Sequence, residues 1–292
     1  MVLVCTFAVF YLKPNIMKKI ITVFALLLMT SIHAQNFKGR AIYKTHRKSS
    51  FELDSTTFAA NPGIQEQMEA QMRKIFQKTF TLDFTKLESM YKEDQELDAP
   101  KGPSSNGSVM VMMMGGNGSS DILYKNISEN RMANKKELMG KVFLIKDNLV
   151  AYDWKLTGKT KNIGNYTCYK AVHEREEESI EINMIDGEVK EEKVTKKTTL
   201  VAWYTPDVPI SNGPSNYGGL PGLILEVNDG DLTIVCSEII LNLKEINKIN
   251  EPAKGKIVTR QKFGKISIEK TKEMMDRYRT RDGNGMKIKM GG

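Results

Sequence analysis

The feature that most constrains this chain is a period-two alternation of apolar residues, recurring in short runs between turn formers. Side chains on a strand point alternately to opposite faces, so such runs belong to strands with one face buried. Phe37 to Lys44 reads as a first strand. Phe80 to Phe84 alternates cleanly, and Ser89 to Lys92 is its expected partner. Ile122 to Tyr124, Val142 to Ile145, and Leu149 to Leu156 with Trp154 follow. Tyr166 to Val172 comes after the Gly164-Asn165 turn, and Leu200 to Tyr204 is strongly apolar and aromatic. Leu223 to Val227 and Leu232 to Cys236 flank Asn228 to Asp231, where Asp229-Gly230 signals a two-residue hairpin because both residues tolerate positive φ. The charged segment Glu174 to Lys197 predicts a long exposed hairpin with Asp186-Gly187 at its tip.

Two helices interrupt this pattern. Asn61-Pro62 suits a helix start, and Ile64, Met68, Met72, Ile75 and Phe76 then share one face. A second helix is expected over about Ile268 to Tyr278. Strands and helices do not alternate regularly, which disfavours a parallel βαβ fold. The expectation is therefore a mainly β, α+β chain: a large curved antiparallel sheet or half-open barrel with one or two covering helices. It forms a single domain over 35–292. Within it, 94–120 is a low-complexity Met/Gly/Ser loop and the tail after 280 is loose.

The first 34 residues read as a signal peptide. Met17, Lys18 and Lys19 open a basic region, Ile20 to Met29 is an apolar core too short to span a bilayer comfortably, and Ala34 offers the cleavage site. Residues 1–16 read as an upstream start added to that leader. No cysteine stands at the cleavage site, so the expected product is an exported periplasmic or outer-membrane-associated protein and not a lipoprotein. The formal charge of +8 falls by three on cleavage, since Lys13, Lys18 and Lys19 are the leader's only charges. No segment has the dense cationic and aromatic pattern of a nucleic-acid binder.

Of the three cysteines, Cys5 lies in the leader, which leaves Cys168 and Cys236. An exported chain meets an oxidising compartment, so an even pair suggests one disulfide; two buried thiols are the other reading. If bonded, the loop of about 68 residues would add up to about 4 kcal/mol in the chain-entropy model. HExxH, paired CxxC and EF-hand spacings are missing, and no cofactor is expected. Met110, Met112, Met113 and Met114 carry soft thioethers suited to Cu(I), but their near-contiguous run among glycines and serines fits a sticky loop better. His46 and His173 are the mature histidines, and neither has a recognisable set of catalytic partners around it. A hydrolase reading would place a site near the 203–222 loop, with Trp203, Tyr204 and Tyr217 stacking on a sugar and Asp207 as an acid, but a second carboxylate is missing.

The segment Tyr217 to Val227, YGGLPGLILEV, lacks the GxxxxGK[ST] pattern of a phosphate loop. Pro206, Pro209, Gly213 and Pro214 precede it. The expected structure is a long ordered loop with a tight turn at Gly218-Gly219, Leu220 packed inward, and a type II turn at Pro221-Gly222. Such a loop is an apolar plug without ionisable chemistry.

The run Gly219-Leu220-Pro221-Gly222-Leu223-Ile224 is the hexapeptide that names the GLPGLI family of Bacteroidetes-type bacteria, and the chain resembles that family. Ala202 to Gly218 is similar to the family's approach to the motif, as is Thr157 to Ala171. The Met/Gly/Ser loop and the extra leader depart from it. The resemblance implies an exported envelope protein of uncharacterised role, thought of alongside outer-membrane receptors of the TonB-dependent kind. It carries no catalytic residue. The functional expectation is a non-enzymatic binding or accessory module for an apolar ligand or such a receptor. Candidate contacts are Trp203, Tyr204, Tyr217, Gly219, Leu220, Pro221, Gly222, and Met68, Met72 and Phe76 lining an apolar cavity.

Overall fold

A computed structural model describes residues 37–47, 77–94, 121–185, 188–243 and 248–279. The described strands and helix lie in one compact unit, Lys38–Gly292. The strands are β1 (Lys38–Arg47), β2 (Lys78–Thr85), β3 (Glu88–Glu93), β4 (Ile122–Asn126), β5 (Arg131–Leu138) and β6 (Lys141–Asn148). They continue as β7 (Lys155–Ile163), β8 (Tyr166–Ile185), β9 (Glu188–Thr205), β10 (Leu223–Asp229), β11 (Leu232–Leu241) and β12 (Lys256–Val258), followed by helix α1 (Arg260–Arg279).

These strands form one sheet in the order β12-β6-β5-β4-β3-β2-β1-β11-β10-β9-β8-β7. Every pairing is antiparallel except β12 with β6. The chain is thus mainly β, and the sheet is open rather than closed into a barrel. Its edges explain why. β7 is exposed along most of its length, carries Lys155, Lys159 and Lys161, and breaks register between Leu156 and Thr160. Lysines and a bulge are common devices that stop an edge strand from pairing further. β12 is three residues long.

Alternation sets the main buried face. Ala41, Tyr43, Leu82, Phe84, Tyr91, Leu123, Phe143 and Ile145 are all buried on it. Tyr91 stacks on Phe80 at 4.9 Å and meets Tyr43 edge-on at 6.2 Å. The opposite face is also covered over β4 to β6, where Tyr124, Ala133 and Leu144 pack with Ile249 of the crossover to β12. Glu251 of that crossover pairs with Arg131 at 2.7 Å and Lys146 at 2.9 Å. Arg40 donates to the fully buried Asp83 at 2.6 Å on the same side of the sheet.

Helix α1 starts at Arg260, earlier than the expected Ile268. Thr259 caps it, its Oγ1 accepting from Lys262 N at 3.2 Å, and Asp147 accepts from Arg260 N at 3.0 Å. Phe263 packs edge-on against Phe143 at 5.4 Å. β5, with its polar sequence RMANKKEL, and the short β12 go beyond the strands expected from alternation. Residues 149–154, expected as part of a strand, are irregular, and β7 starts only at Lys155. The hairpin turn is Gly230-Asp231, one residue later than expected, because Asp229 still pairs with Leu232. The long hairpin forms as β8 and β9, paired from Tyr169↔Tyr204 to Ile185↔Glu188. The leader, the helix expected after Asn61 and the Met/Gly/Ser loop lie outside the described residues.

Candidate functional site

The loop 206–222 leaves the sheet at Thr205 and returns at Leu223, and these two residues pair with each other. It is therefore a closed excursion from one point on the sheet. Tight turns hold it. Val208 O accepts from Ile210 N at 2.8 Å and from Leu223 N at 3.0 Å. Ile210 O accepts from Asn212 N at 2.8 Å, and Asn212 O from Ile224 N at 2.9 Å. Leu220 O accepts from Gly222 N at 2.8 Å, a three-residue turn about Pro221. This replaces the expected type II turn, since Leu223 N is already committed to Val208. Gly222 has φ 159, and a Cβ there would lie 2.2 Å from Thr205 O, so the backbone crosses itself where only glycine fits. Val208, Ile210, Tyr217 and Leu220 are all buried. The loop is a packed plug.

Lys125 fastens the plug to a distant strand. It sits on β4 at an alternation position otherwise apolar, two residues after Leu123, and its Nζ is buried. Nζ donates to Gly213 O at 2.8 Å, Ser215 O at 2.8 Å and Tyr217 O at 3.2 Å. An ammonium has three donors, and each is used. In the sheet order β4 is five strands from β10, some 24 Å apart in a flat sheet at the usual strand spacing. Contact therefore needs the plug to reach across a curved sheet. Burial pulls the Lys125 pKa down from 10.5 to about 7. Tyr43, on β1, adds a second tie by donating to Ile224 O at 2.8 Å.

The plug's other end carries an aromatic group. Trp154 Nε1 donates to Gly218 O at 2.9 Å. Tyr152 lies 5.1 Å from the Trp154 ring, 5.5 Å from His173 and 5.9 Å from Tyr217. Trp154 and His173 are 6.1 Å apart, and His173 Nδ1 is 3.0 Å from Asp153 O. Tyr152, Trp154 and His173 are half-buried, so the group reaches the surface. Behind it, Tyr217 donates to Asp229 at 2.8 Å, and Arg175 grips both carboxylate oxygens of Asp229 at 2.9 Å. Desolvation, with the Asp229 charge second, pushes the Tyr217 hydroxyl well above the usual tyrosine range, so it stays a donor.

The residues singled out from sequence scatter around this geometry. Trp203 and Tyr204 are adjacent on β9 and face opposite sides of the sheet. Lys161 sits 4.4 Å over the Trp203 ring and pairs with Glu226 at 2.6 Å. Tyr204 lies 6.0 Å from Tyr169. Tyr217 joins the aromatic group, while Asp207 is exposed at the plug's start. The sugar-stacking trio Trp203, Tyr204 and Tyr217 is thus not assembled. Gly219 lies beside Trp154, Leu220 and Gly222 are buried and Pro221 is exposed.

The expected disulfide is not formed: Cys168 and Cys236 are both free and buried. They stand on β8 and β11, with β9 and β10 between them. Desolvation raises their thiol pKa values to about 11 and about 12. Met68, Met72, Phe76, Met110, Met112, Met113 and Met114 lie outside the described residues. Among the described residues no group of three or more His, Cys, Asp or Glu could hold a metal ion, and no helix is long and apolar enough to cross a membrane.

Residues 154–226 match the model of a family described as a protein of unknown function, Porph_ging. The matched stretch starts at Trp154 and ends on β10, so it takes in β7 to β9 and the whole plug. The chain's likeness to this Bacteroidetes-type family is thereby shown for that segment. No curated protein matches. Two solved structures are similar, those of PNGF-II in the C2 and P21 space groups. They share 13% and 14% identity with this chain at TM-scores of 0.46 and 0.48, over 81% of this chain. The chain spans about a third of their length, 33% and 34%.

Lys125, Tyr152 and Arg175 are not singled out in the sequence analysis, His173 reads there as a histidine without partners, and Asp229 as a turn residue. One signal for Lys125 was available: a lysine in phase with Leu123 on a strand whose apolar positions face inward.

Proposed function

We propose that this is an exported envelope protein of the GLPGLI type that works as a binding or accessory module and carries out no reaction of its own. The observation that carries the reading is the half-exposed group Tyr152, Trp154 and His173, in which Trp154 is held by Gly218 O of the plug and His173 Nδ1 lies against Asp153 O. Large rings with polar tips, fixed before binding, are what a recognition surface needs, because they bury much area at little further cost in side-chain freedom. The plug packs onto the buried face of the sheet through Lys125 and Tyr43, and the aromatic group at its other end reaches the surface, which favours recognition there. The partner we assign is an outer-membrane receptor of the TonB-dependent kind.

The test places a photo-crosslinking amino acid at Tyr152 in the native host, with fractionation of the cells. The expected result is protein in the envelope fraction and a covalent adduct of receptor size that is absent when the probe is at exposed Lys159. Protein in the cytosol, or equal adducts from both positions, contradicts the reading.

A further inference from the structure

Two bonds described above fall on consecutive residues of the plug. Buried Lys125 donates to Tyr217 O, and the half-exposed Trp154 indole donates to Gly218 O. The Tyr217 carbonyl and the Gly218 amide share one planar peptide unit, so a turn of that carbonyl also turns the backbone leading into Gly218. Tyr217 is tied to its surroundings at three further points. Its amide donates to Pro214 O at 3.1 Å, its hydroxyl to Asp229 at 2.8 Å, and its ring lies 5.9 Å from Tyr152. A single peptide thus links the interior of the sheet to the aromatic group at the surface.

What Lys125 can hold depends on its proton count. As an ammonium it has three donors for three carbonyls, Gly213 O, Ser215 O and Tyr217 O, at 2.8, 2.8 and 3.2 Å. As a neutral amine it has two donors, and its lone pair then faces the third oxygen. The longest contact, Tyr217 O, is the one that gives way. The surroundings of Lys125 favour the neutral form, because it is 3% exposed and its neighbours on that sheet face carry no charge. Ser89 and Met132 stand opposite it in register, with Tyr91 and Asn134 on the diagonals. Tyr91 and Tyr217 are the ionisable side chains of this group, and desolvation pushes both hydroxyls above the usual tyrosine range, so both stay neutral. Asp147 and Arg260 come next, beyond Met132: Asp147 pairs with Met132 in register, and Arg260 donates to the Met132 sulfur at 3.1 Å. Desolvation lowers the Lys125 pKa with neither of these charges contributing.

We infer that Lys125 is a proton-operated latch: protonated, it holds Tyr217 O and with it the Gly218 anchor of Trp154, and on losing its proton it releases that carbonyl and loosens the aromatic group at the surface. Gly213 O and Ser215 O keep the two remaining donors, so the plug stays on β4 while its aromatic end is freed. The latch goes beyond the proposed function and stands whatever the aromatic group binds, since it follows from the contacts inside the fold.

The indole N–H of Trp154 is the reporter, because its proton chemical shift follows its hydrogen bond to Gly218 O. It is followed by NMR across a pH series on the unmodified protein, together with the Lys125 Cε signal from the same samples. The two should titrate together with a midpoint of about 7, the indole proton moving upfield as its bond lengthens. His173 lies 6.1 Å from the Trp154 ring and is the other group there that can take up a proton, so His173→Gln separates the two sources: the Trp154 transition should remain. In Lys125→Met it should vanish. If Lys125→Met fails to fold, the paired signals of the unmodified protein and of His173→Gln decide the matter. A Trp154 signal that stays flat through the Lys125 transition, that loses its transition in His173→Gln, or that keeps it in Lys125→Met overturns the inference. So does a Lys125 side chain that titrates in the ordinary lysine range.

Discussion

The two wings of the sheet are built differently. From β1 to β6, described neighbours pair in unbroken register, and the turns 86–87, 127–130 and 139–140 are short. From β7 to β11 the register breaks on β7, β10 and β11, two long strands make an extended hairpin, and the plug departs between β9 and β10. The first wing is a regular surface; the second bends the chain out of the sheet and lays it back down. The β1–β11 ladder makes them one sheet, and what ties the plug back onto the first wing is polar. Lys125 on the regular wing holds three carbonyls of the irregular one. The family match falls wholly on the irregular wing, 154–226, as does the aromatic group apart from Tyr152.

This contrast can be broken most severely at the joint. Lys125→Met leaves three plug carbonyls without donors, and a loss of about 4 kcal/mol is expected in urea unfolding. The same variant should change the pH profile. With a folded pKa of about 7 against 10.5 unfolded, the unfolded chain binds the extra proton between those values. The stability of the unmodified protein should thus rise across that window by up to about 1.4 kcal/mol per pH unit, and the variant should lack this slope.

Gly222→Ala attacks the irregular wing alone. Its Cβ must push Thr205 O away, and about 3 kcal/mol should be lost, read by thermal or urea unfolding. Arg40→Ala attacks the regular wing by removing a cation from buried Asp83, with about 2 kcal/mol expected and the plug's amide protection unchanged. Trp154→Phe is the mildest: it keeps the ring but drops the bond to Gly218 O, for about 1 kcal/mol. Its effect should appear as faster exchange near Gly218 and nowhere on β1 to β6.

Legibility followed the same division. Alternation revealed β1 to β4 and β6, because one buried face leaves a period-two trace, and the long hairpin announced itself by charge. β5 is hidden, since it lies between β4 and β6 in the sheet while only Met132, Ala133 and Leu138 read as apolar. Trp154 was placed on a strand, but its indole is committed to Gly218, and the segment leading to it stays irregular. The apolar plug was readable from its prolines and leucines. Its turn type was not, because a distant carbonyl, Val208 O, claims the Leu223 amide. The aromatic group draws Tyr152, His173 and Tyr217 from three segments, so no local pattern could gather it. Lys125 is the sharpest case: a single charge in a strand says little until the carbonyls that surround it are known.

Hydrogen exchange measured residue by residue on the unmodified protein and on Lys125→Met tests the joint most directly. The amides of Ile210, Asn212, Gly222 and Ile224 should lose protection by at least about a hundredfold in the variant, equivalent to about 2.7 kcal/mol, while those of β5 and β6 keep theirs. Unchanged protection across the plug would mean that the loop holds its shape without Lys125, and the account of a plug fastened to the regular wing by that lysine would be wrong.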